Sequence, residues 1–468
     1  MHLDRLKVGQ PRHVAVSVTL GVAIAMTLSG VAAATPLWGN PVVVAGAFNN
    51  GPLPEVNSIS CAHAGDCSAG GAYGLPTTSE THSGAFAVTE TTGTWHPAVK
   101  LAAALDAAHT GALNVVSCSS PGNCGAGGSY GNASGSHGFV VSQTAGAWGT
   151  AFPIGHLGST TSASVSGMSC KGTGDCTAIG NFETATSAGA FVTTESAGHW
   201  SVPRIVHAFN SSSVSLLGVS CAKPGDCSVG GDYEVGPSAA MKYEAFVINQ
   251  VNGKWQAPKE VAANINIHNM GYVGSLSCTK PGYCGAVGED WGANGPQGFT
   301  IGEVAGVWGS AAEVKGSPPD GNRSGAGADA ISCVKPGYCT AGGNANYSGG
   351  DKAYVVTETA GVWGTLLLVA QNLNTLPNGA VEGLSCASPG NCVGVGYYQY
   401  NVRLNSYDED FVITEAAGVW GPAFNLRGTA PNHDSNSTNS VSCPTASFCG
   451  IGGQLTRGGK LRAFVSTT

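Results

Sequence analysis

Apolar residues along this chain fall in short blocks, alternating with polar ones and cut off by Gly, Pro or Asn, with no long 3.6-residue periodicity. That pattern predicts an all-β chain of short strands. Four strand signals recur in a fixed order. The first ends in apolar-Ser-Cys, as in NVVSC, GSLSC and NSVSC. The second follows a partner cysteine, as in CGAGGSY and CSVGGDY. The third is rich in β-formers, as in AFAVTE, GFVVSQ, AFVTTE, AFVINQ, AYVVTE and DFVITE. A turn containing Gly-x-Trp then leads to the fourth, as in VWGTLLLVA.

Cysteines mark the period. They fall in eight pairs, Cys61-Cys67, Cys118-Cys124, Cys170-Cys176, Cys221-Cys227, Cys278-Cys284, Cys333-Cys339, Cys386-Cys392 and Cys443-Cys449, which use all 16 cysteines. The first members are 51 to 57 residues apart. A fixed period of this length marks a propeller, solenoid or array, and four strands per period is a propeller blade. The chain stops inside a third strand, LRAFVSTT, whereas TPLWGNPVVVAG near its start reads as a fourth strand, with Trp38 in the place of Trp95, Trp148, Trp200, Trp255, Trp308, Trp363 and Trp420. The expected fold is therefore an all-β, eight-bladed β-propeller of four-stranded antiparallel blades, with the N-terminal strand completing the last blade. An open solenoid would want polar caps at both ends, and none is visible.

The repeated residues have structural readings. Ser60, Ser117, Ser169, Ser220, Ser277, Ser332, Ser385 and Ser442 precede the first cysteines. Eight equivalent nucleophiles with no recurring His make no chemical sense, so these serines are expected to pack and make a local hydrogen bond. Each Cys-x5-Cys pair is expected to bridge one hairpin, with Pro-Gly at 121–122, 224–225, 281–282, 336–337 and 389–390 forming a turn whose Gly takes a positive φ. A metal site from neighbouring pairs lacks both Cys-x-x-Cys and companion histidines. Glu90, Gln143, Glu195, Gln250, Glu303, Glu358 and Glu415 lie five before the Trp and read as acceptors that hold the turn's N–H groups, not as catalytic carboxylates.

Composition narrows the setting. Arg5, Lys7 and Arg12, an apolar run from about Val14 to Leu28 and then VAAATP predict a signal peptide over 1–34 and a single propeller domain over 35–468. An uncleaved signal anchor is the competing reading; Ala32 to Ala34 favour cleavage. Losing those residues removes three basic side chains and Asp4, taking the formal net charge from −8 to −10. Such a chain is repelled by phosphate backbones and anionic lipid, so neither nucleic acid nor membrane is an expected partner. Secretion, a monomeric state, no cofactor and no metal complete the expectation.

With its apolar inner strand, small-residue second strand and hairpin carrying an acidic residue, Gly and Trp, the repeat resembles that of the bacterial neuraminidase-repeat (Asp-box) propellers: exported sialidases and photosystem-assembly-factor-like propellers. The likeness covers essentially the whole chain after residue 34. It departs from the box in having Glu or Gln for Asp, Gly one place later and no Thr before the Trp. The resemblance implies a propeller; sialidase chemistry would further need three arginines, a Tyr/Glu pair and an acidic Asp. Only Arg204, Arg323, Arg403, Arg427, Arg457 and Arg462 follow the signal, without the family's arginine motif, so no catalytic residue carries over.

Ligand contacts are expected on the face formed by the loops joining second to third strands and fourth strands to the next blade, since these vary in length and content. At that face Tyr73, Tyr130, Phe182, Tyr233 and Tyr398 end second strands, with Trp291 and Tyr347 one and two positions later in two other blades. They could stack on sugar rings or fill the gap between blades, and their alternation with Cys and Ala favours filling. Asp232, Glu289 and Asp290 share a level in adjacent blades, followed by Asp408, Glu409 and Asp410. Solvated loop acids are the simple reading; a glycosidase pair or a calcium site is the sharper one. The expected function is a non-enzymatic binding or scaffold module for an extracellular glycan or protein. The alternative is a carbohydrate-active hydrolase or lyase.

Overall fold

The computed structural model describes residues 38–468 apart from 45–53, 75–81, 237–241, 294, 319–325, 348–349, 374–377, 403–404, 427–435 and 458. The signal-peptide expectation, 1–34, lies outside the described residues. What is described is all-β: eight antiparallel four-stranded blades form an eight-bladed β-propeller. Blade 1 runs through Glu55–His63, Asp66–Gly74, Ser83–Thr91 and a fourth strand in two pieces, Thr94–Trp95 and Val99–Lys100, both paired to the third. Blades 2 to 6 repeat this plan, and blade 7 does so with a single bridge, Val412 to Phe424, in place of the second piece. Blade 8 combines Ser437–Thr445, Phe448–Thr456 and Leu461–Thr467 with Val42–Val43, paired Val42 to Val465 and Val43 to Phe464. The split blade read from the two ends is therefore the one that closes the ring.

Each blade's core is fixed by a cross-strand pair of unequal size. Phe86, Phe139, Phe191, Phe246, Phe299, Tyr354, Phe411 and Phe464 on the third strands are all under 2 % exposed. Each sits opposite a second-strand glycine, as Phe86 faces Gly71 and Phe246 faces Gly231. Those glycines are required by the first strand, which bulges there. A Cβ on Gly231 would fall 1.9 Å from the Ser215 carbonyl oxygen, far inside contact distance.

Two turns dock at the foot of each of blades 1 to 7. The strand 3–4 turn holds two consecutive positive-φ residues, such as Thr92 (48°) and Gly93 (79°) or Ala305 (52°) and Gly306 (82°), the signature of a type I′ turn. Its Gly N–H donates to the carbonyl of the strand 1–2 turn glycine: Gly93 to Gly65 at 2.8 Å, Gly146 to Gly122 at 2.8 Å, Gly418 to Gly390 at 2.9 Å. A Cβ on Gly122 would meet the Gly146 nitrogen at 2.7 Å, so the docking explains the glycine of the strand 1–2 turn, whereas that of the strand 3–4 turn, with open space beside it, is kept for its positive φ of 85° at Gly146. All eight disulfides bridge the predicted hairpins, with Cα separations of 3.8 to 4.1 Å across directly opposed residues. Such bridging fits an oxidising, extracellular setting. Among the described residues no helix is long and apolar enough to cross a membrane.

The repeated serines do more than a local bond. Each accepts the N–H of the first cysteine in the next blade: Ser60 from Cys118, Ser117 from Cys170, Ser169 from Cys221, Ser220 from Cys278, Ser277 from Cys333, Ser332 from Cys386 and Ser385 from Cys443, all at 2.9 to 3.0 Å. Ser442 accepts from Cys61 at 2.9 Å and closes the circle. The N–H of a cysteine in an innermost strand points away from its hairpin partner, so a neighbour must satisfy it. Ser169→Ala removes the acceptor from a buried donor and is expected to cost about 1–2 kcal/mol. A denaturant midpoint that did not move, at constant m value, would show the ring to be ornamental.

Of the residues five before each Trp, Glu195 and Glu303 reach the preceding blade, while the amides of Gln143 and Gln250 donate within their own turns, to the Gly146 carbonyl at 3.2 Å and the Gly253 carbonyl at 3.4 Å. Glu195 accepts from Ser142 Oγ at 2.5 Å while Trp200 Nε1 donates to the same oxygen at 2.9 Å. Asn249 is held likewise by Glu303 and Trp308 of the next blade. The turn N–H instead goes to the residue before the second cysteine, as Thr92 N donates to Asp66 Oδ1 at 3.2 Å and Ala145 N to Asn123 Oδ1 at 3.3 Å. A carboxylate facing the preceding blade cannot also reach its own turn.

Candidate functional site

First strands touch one another around the ring and so line the axis. Their bulged midpoint, four residues before the cysteine, is Asn57, Asn114, Ser166, Leu217, Gly274, Asp329, Glu382 and Asn439 in blades 1 to 8. On one side of the ring these residues tie blades together. Asn57 Nδ2 donates to the Leu113 carbonyl at 2.9 Å, Asn114 to Val165 at 3.0 Å, and Asn439 to Val56 at 3.0 Å. The next layer, on the second strands, behaves alike: Asn181 both donates to and accepts from the Leu216 main chain at 2.9 Å, and Gln454 donates to the Pro54 carbonyl at 3.1 Å.

Across blades 4 to 7 the same two layers carry acids instead: Asp232 and Glu289 on second strands, Asp329 and Glu382 at the bulges. A carboxylate cannot donate to a neighbour's carbonyl, so these four forgo the bridging that the amides supply. Tyr272 Oη donates to Glu289 Oε2 at 3.3 Å. Glu289 Oε2 and Asp329 Oδ1 come within 3.6 and 3.4 Å of the point where a side chain on Gly327 would begin, so the two blades aim their carboxylates at one place.

Burial pushes Asp232 up to about 6. It pushes Glu289 up to about 7, Tyr272 pulling the other way and Asp329 adding to the rise. Asp329 is raised to about 6 by burial and then by Glu382, and Glu382 is raised by burial and then by Asp408. Asp329 and Glu382 are exposed to the channel, yet protein walls on every side leave too little water to solvate the charge fully. Burial first, then Glu289 and Asp329, raises the Tyr272 hydroxyl, and Tyr397 is raised by burial and then by Glu382. Among the described residues no cation is a cause of any of these shifts. The site can therefore attract positive charge and, near neutral pH, hold a proton for transfer.

The predicted aromatics divide. Tyr73, Tyr130, Phe182, Tyr233 and Tyr398 are 3 to 7 % exposed and serve blade packing. Tyr233 stacks on Phe209 and donates to Glu260 Oε2 at 2.7 Å; Tyr398 donates to Asn425 at 3.2 Å. Lys100 sits over the Tyr73 ring. Trp291 and Tyr347 are only half-buried, beside His268 and Lys352. Of the acids, Asp232 and Glu289 join the axial group. Glu409 and Asp410 are fully buried, accepting from Asn436 at 2.8 Å and Thr438 at 2.6 Å, whereas Asp408 is exposed. Sequence reading missed Tyr272, Asp329, Glu382 and Tyr397; aligning the repeats on the cysteine would have shown acids four places before it in GADAISC and AVEGLSC, where other blades carry neutral residues. Clefts of about 720, 540 and 410 Å³ open at the opposite, disulfide face between blades 4–5, 5–6 and 6–7, each with one of Trp308, Trp363 and Trp420 in its wall.

No family model matches the chain, and no curated protein matches it. Solved propellers do. Sqt1 of Chaetomium thermophilum, bound to the N-terminus of ribosomal protein L10, has a TM-score of 0.51 at 10% identity, over 90% of this chain and 100% of that one. The GH93 α-L-arabinofuranosidase of Fusarium graminearum, with arabinobiose, has 0.38 at 10%, over 92% and 98%. The Trypanosoma rangeli sialidase has 0.35 at 10%, over 63% of this chain and 52% of its own length. The likeness to Sqt1 is one of fold.

Proposed function

We propose that the protein is an exported, non-enzymatic binding module that receives a basic segment of an extracellular protein at the axial acids. What carries this reading is the substitution pattern around the ring: Asp232, Glu289, Asp329 and Glu382 take positions where amides elsewhere stitch blades together, and among the described residues no cation neutralises them. Acids kept at such a cost to scaffolding have a use that scaffolding does not supply. Lysine and arginine side chains match them in sign and can enter an axial channel. Sqt1 offers a parallel in fold, since it holds the N-terminus of a protein.

Calorimetry with a short lysine-rich peptide tests this, with neutral oligosaccharides in parallel. The peptide is expected to bind, and to bind less well as salt rises. Acidification weakens it too: as pH falls through about 7 and about 6, Glu289, Asp232 and Asp329 gain protons and lose their charge. Asp329→Asn combined with Glu382→Gln should weaken binding about tenfold or more. Saturable oligosaccharide binding with no peptide binding would replace the basic partner by a glycan.

A second reading has its own observation. Tyr272 hydrogen-bonded to Glu289, with the raised carboxyls of Asp232 and Asp329 nearby, is a set that could cleave a glycoside, a protonated acid serving the leaving group. Turnover of chromogenic glycosides, abolished by Glu289→Gln or Asp232→Asn, would establish it over the binding module.

A further inference from the structure

We propose that blade 5 holds a calcium-class cation between Asp290, Glu313 and the main-chain carbonyl of Ile265. The position six after the second cysteine is Tyr73, Tyr130, Phe182, Tyr233 or Tyr398 in five blades, and in blade 5 it is Asp290. In blade 4 the ring carries its hydroxyl to Glu260 Oε2 at 2.7 Å. Glu313 is the counterpart of Glu260: each lies opposite the buried phenylalanine of its own third strand, Phe299 and Phe246. Exchanging Tyr for Asp removes the donor and sets one carboxylate against another.

Among the described residues nothing in blade 5 hydrogen-bonds Asp290. Asp290 is 0 % exposed, and neither of its oxygens has a hydrogen-bond partner. Gln297, its cross-strand partner, gives its amide to the Pro318 carbonyl at 3.2 Å instead. Oxygens converge at Gly292: the point where a side chain there would begin lies 2.6 Å from Glu313 Oε1, 3.2 Å from Asp290 Oδ2 and 3.3 Å from the Ile265 carbonyl. Three acceptors face one another with no donor among them. Burial, with Glu313 and Glu289 adding to it, pushes Asp290 up to about 7, so the bare carboxylate is penalised.

A buried carboxylate without a donor costs several kcal/mol unless a cation or a proton joins it. Calcium takes carboxylate and carbonyl oxygens at about 2.3–2.6 Å in irregular geometry and fills its shell with water, whereas zinc would seek nitrogen or sulfur. Two side chains and one carbonyl make a site of extracellular strength, with a dissociation constant of about 10⁻⁴ to 10⁻³ M. Asp290 projects from the opposite side of its strand to Glu289, so the cation is separate from the axial acids.

Terbium is the probe. The calcium-free protein is titrated with Tb³⁺ while tryptophan is excited, because Trp291, the next residue along the chain, can sensitise a lanthanide held by Asp290. The expected result is saturable terbium emission, displaced by Ca²⁺, and a melting temperature raised by about 3 °C at a hundredfold excess of Ca²⁺ over its dissociation constant. Asp290→Asn should abolish both, Glu313→Gln should weaken both, and Glu260→Gln, the same change at the counterpart position in blade 4, should leave them intact. Should Asp290→Asn fold poorly, Asp290→Tyr restores the residue used in blades 1, 2, 4 and 7 and should fold without responding to either ion. Absent emission in the parent protein, or emission that survives Asp290→Asn, overturns the site. Stabilisation by Asp290→Asn with no response to calcium would mean that the two carboxyls share a proton instead.

Discussion

Reducing the eight disulfides is expected to abolish the cooperative folded state. Each bridge closes a loop of sequence separation 6, which in the chain-entropy model stabilises the fold by about 2–2.5 kcal/mol. The eight loops neither nest nor overlap, so their effects on the unfolded chain are independent. Together they reach about 16–20 kcal/mol, more than the net stability of about 5–15 kcal/mol that folded domains usually hold. The second strands that the bridges anchor add little of their own, because they are rich in Gly, Ala and Ser and bury little apolar area apiece. Thermal unfolding with and without a phosphine reductant measures this, with circular dichroism confirming loss of β structure. A reduced chain whose midpoint stays within about 5 °C of the oxidised one would show that blade packing alone suffices.

How much of this was legible beforehand follows from where each partner sits in the chain. Hairpin bridges, positive-φ turn glycines and the third-strand aromatics all find their partners within one repeat, and the repeats display the bridges and aromatics eight times and the turn glycines seven times. Bonds between blades are another matter. Ser169 and Cys221 are 52 residues apart, as far as any other pair of equivalent positions, and nothing in the sequence singles out that separation. The serine was therefore legible as structural but not as a link, and in the same way the own-turn reading holds for Gln143 and Gln250 but not for Glu195 and Glu303, which clasp the blade before. The axial acids were half legible. Asp232 and Glu289 follow glycines in the regular second strand, where position is countable. Asp329 and Glu382 sit on a bulge, which shifts the count by one and hides which way a side chain faces.

Deleting residues 35–44 should cost the molecule its closure. The strand at Val42–Val43 supplies the outermost ladder of blade 8, with Gly39 N donating to the Thr467 carbonyl at 2.9 Å and Val44 N to the Ala463 carbonyl at 3.0 Å. It also holds two seams at once. Trp38, 8 % exposed, packs with Val393, Val395 and Leu426 of blade 7 as well as Ile451 and Phe464 of blade 8. Val44, 3 % exposed, packs with Val56, Ile59, Tyr73 and Phe86 of blade 1. Trp38→Ala alone is expected to cost about 3–5 kcal/mol from the cavity it leaves, and the deletion costs more because it adds a bare strand edge along Ala463–Thr467. That edge should seek a substitute, so the shortened protein is expected to melt several degrees lower and to dimerise with rising concentration, read by calorimetry and light scattering. A synthetic peptide spanning 35–44 should reverse both changes, since the missing strand is held by pairing and packing and by no covalent link of its own. A shortened protein that melted where the parent does, and stayed monomeric, would mean that the Ser442–Cys61 hydrogen bond and the packing of the inner strands close the ring unaided.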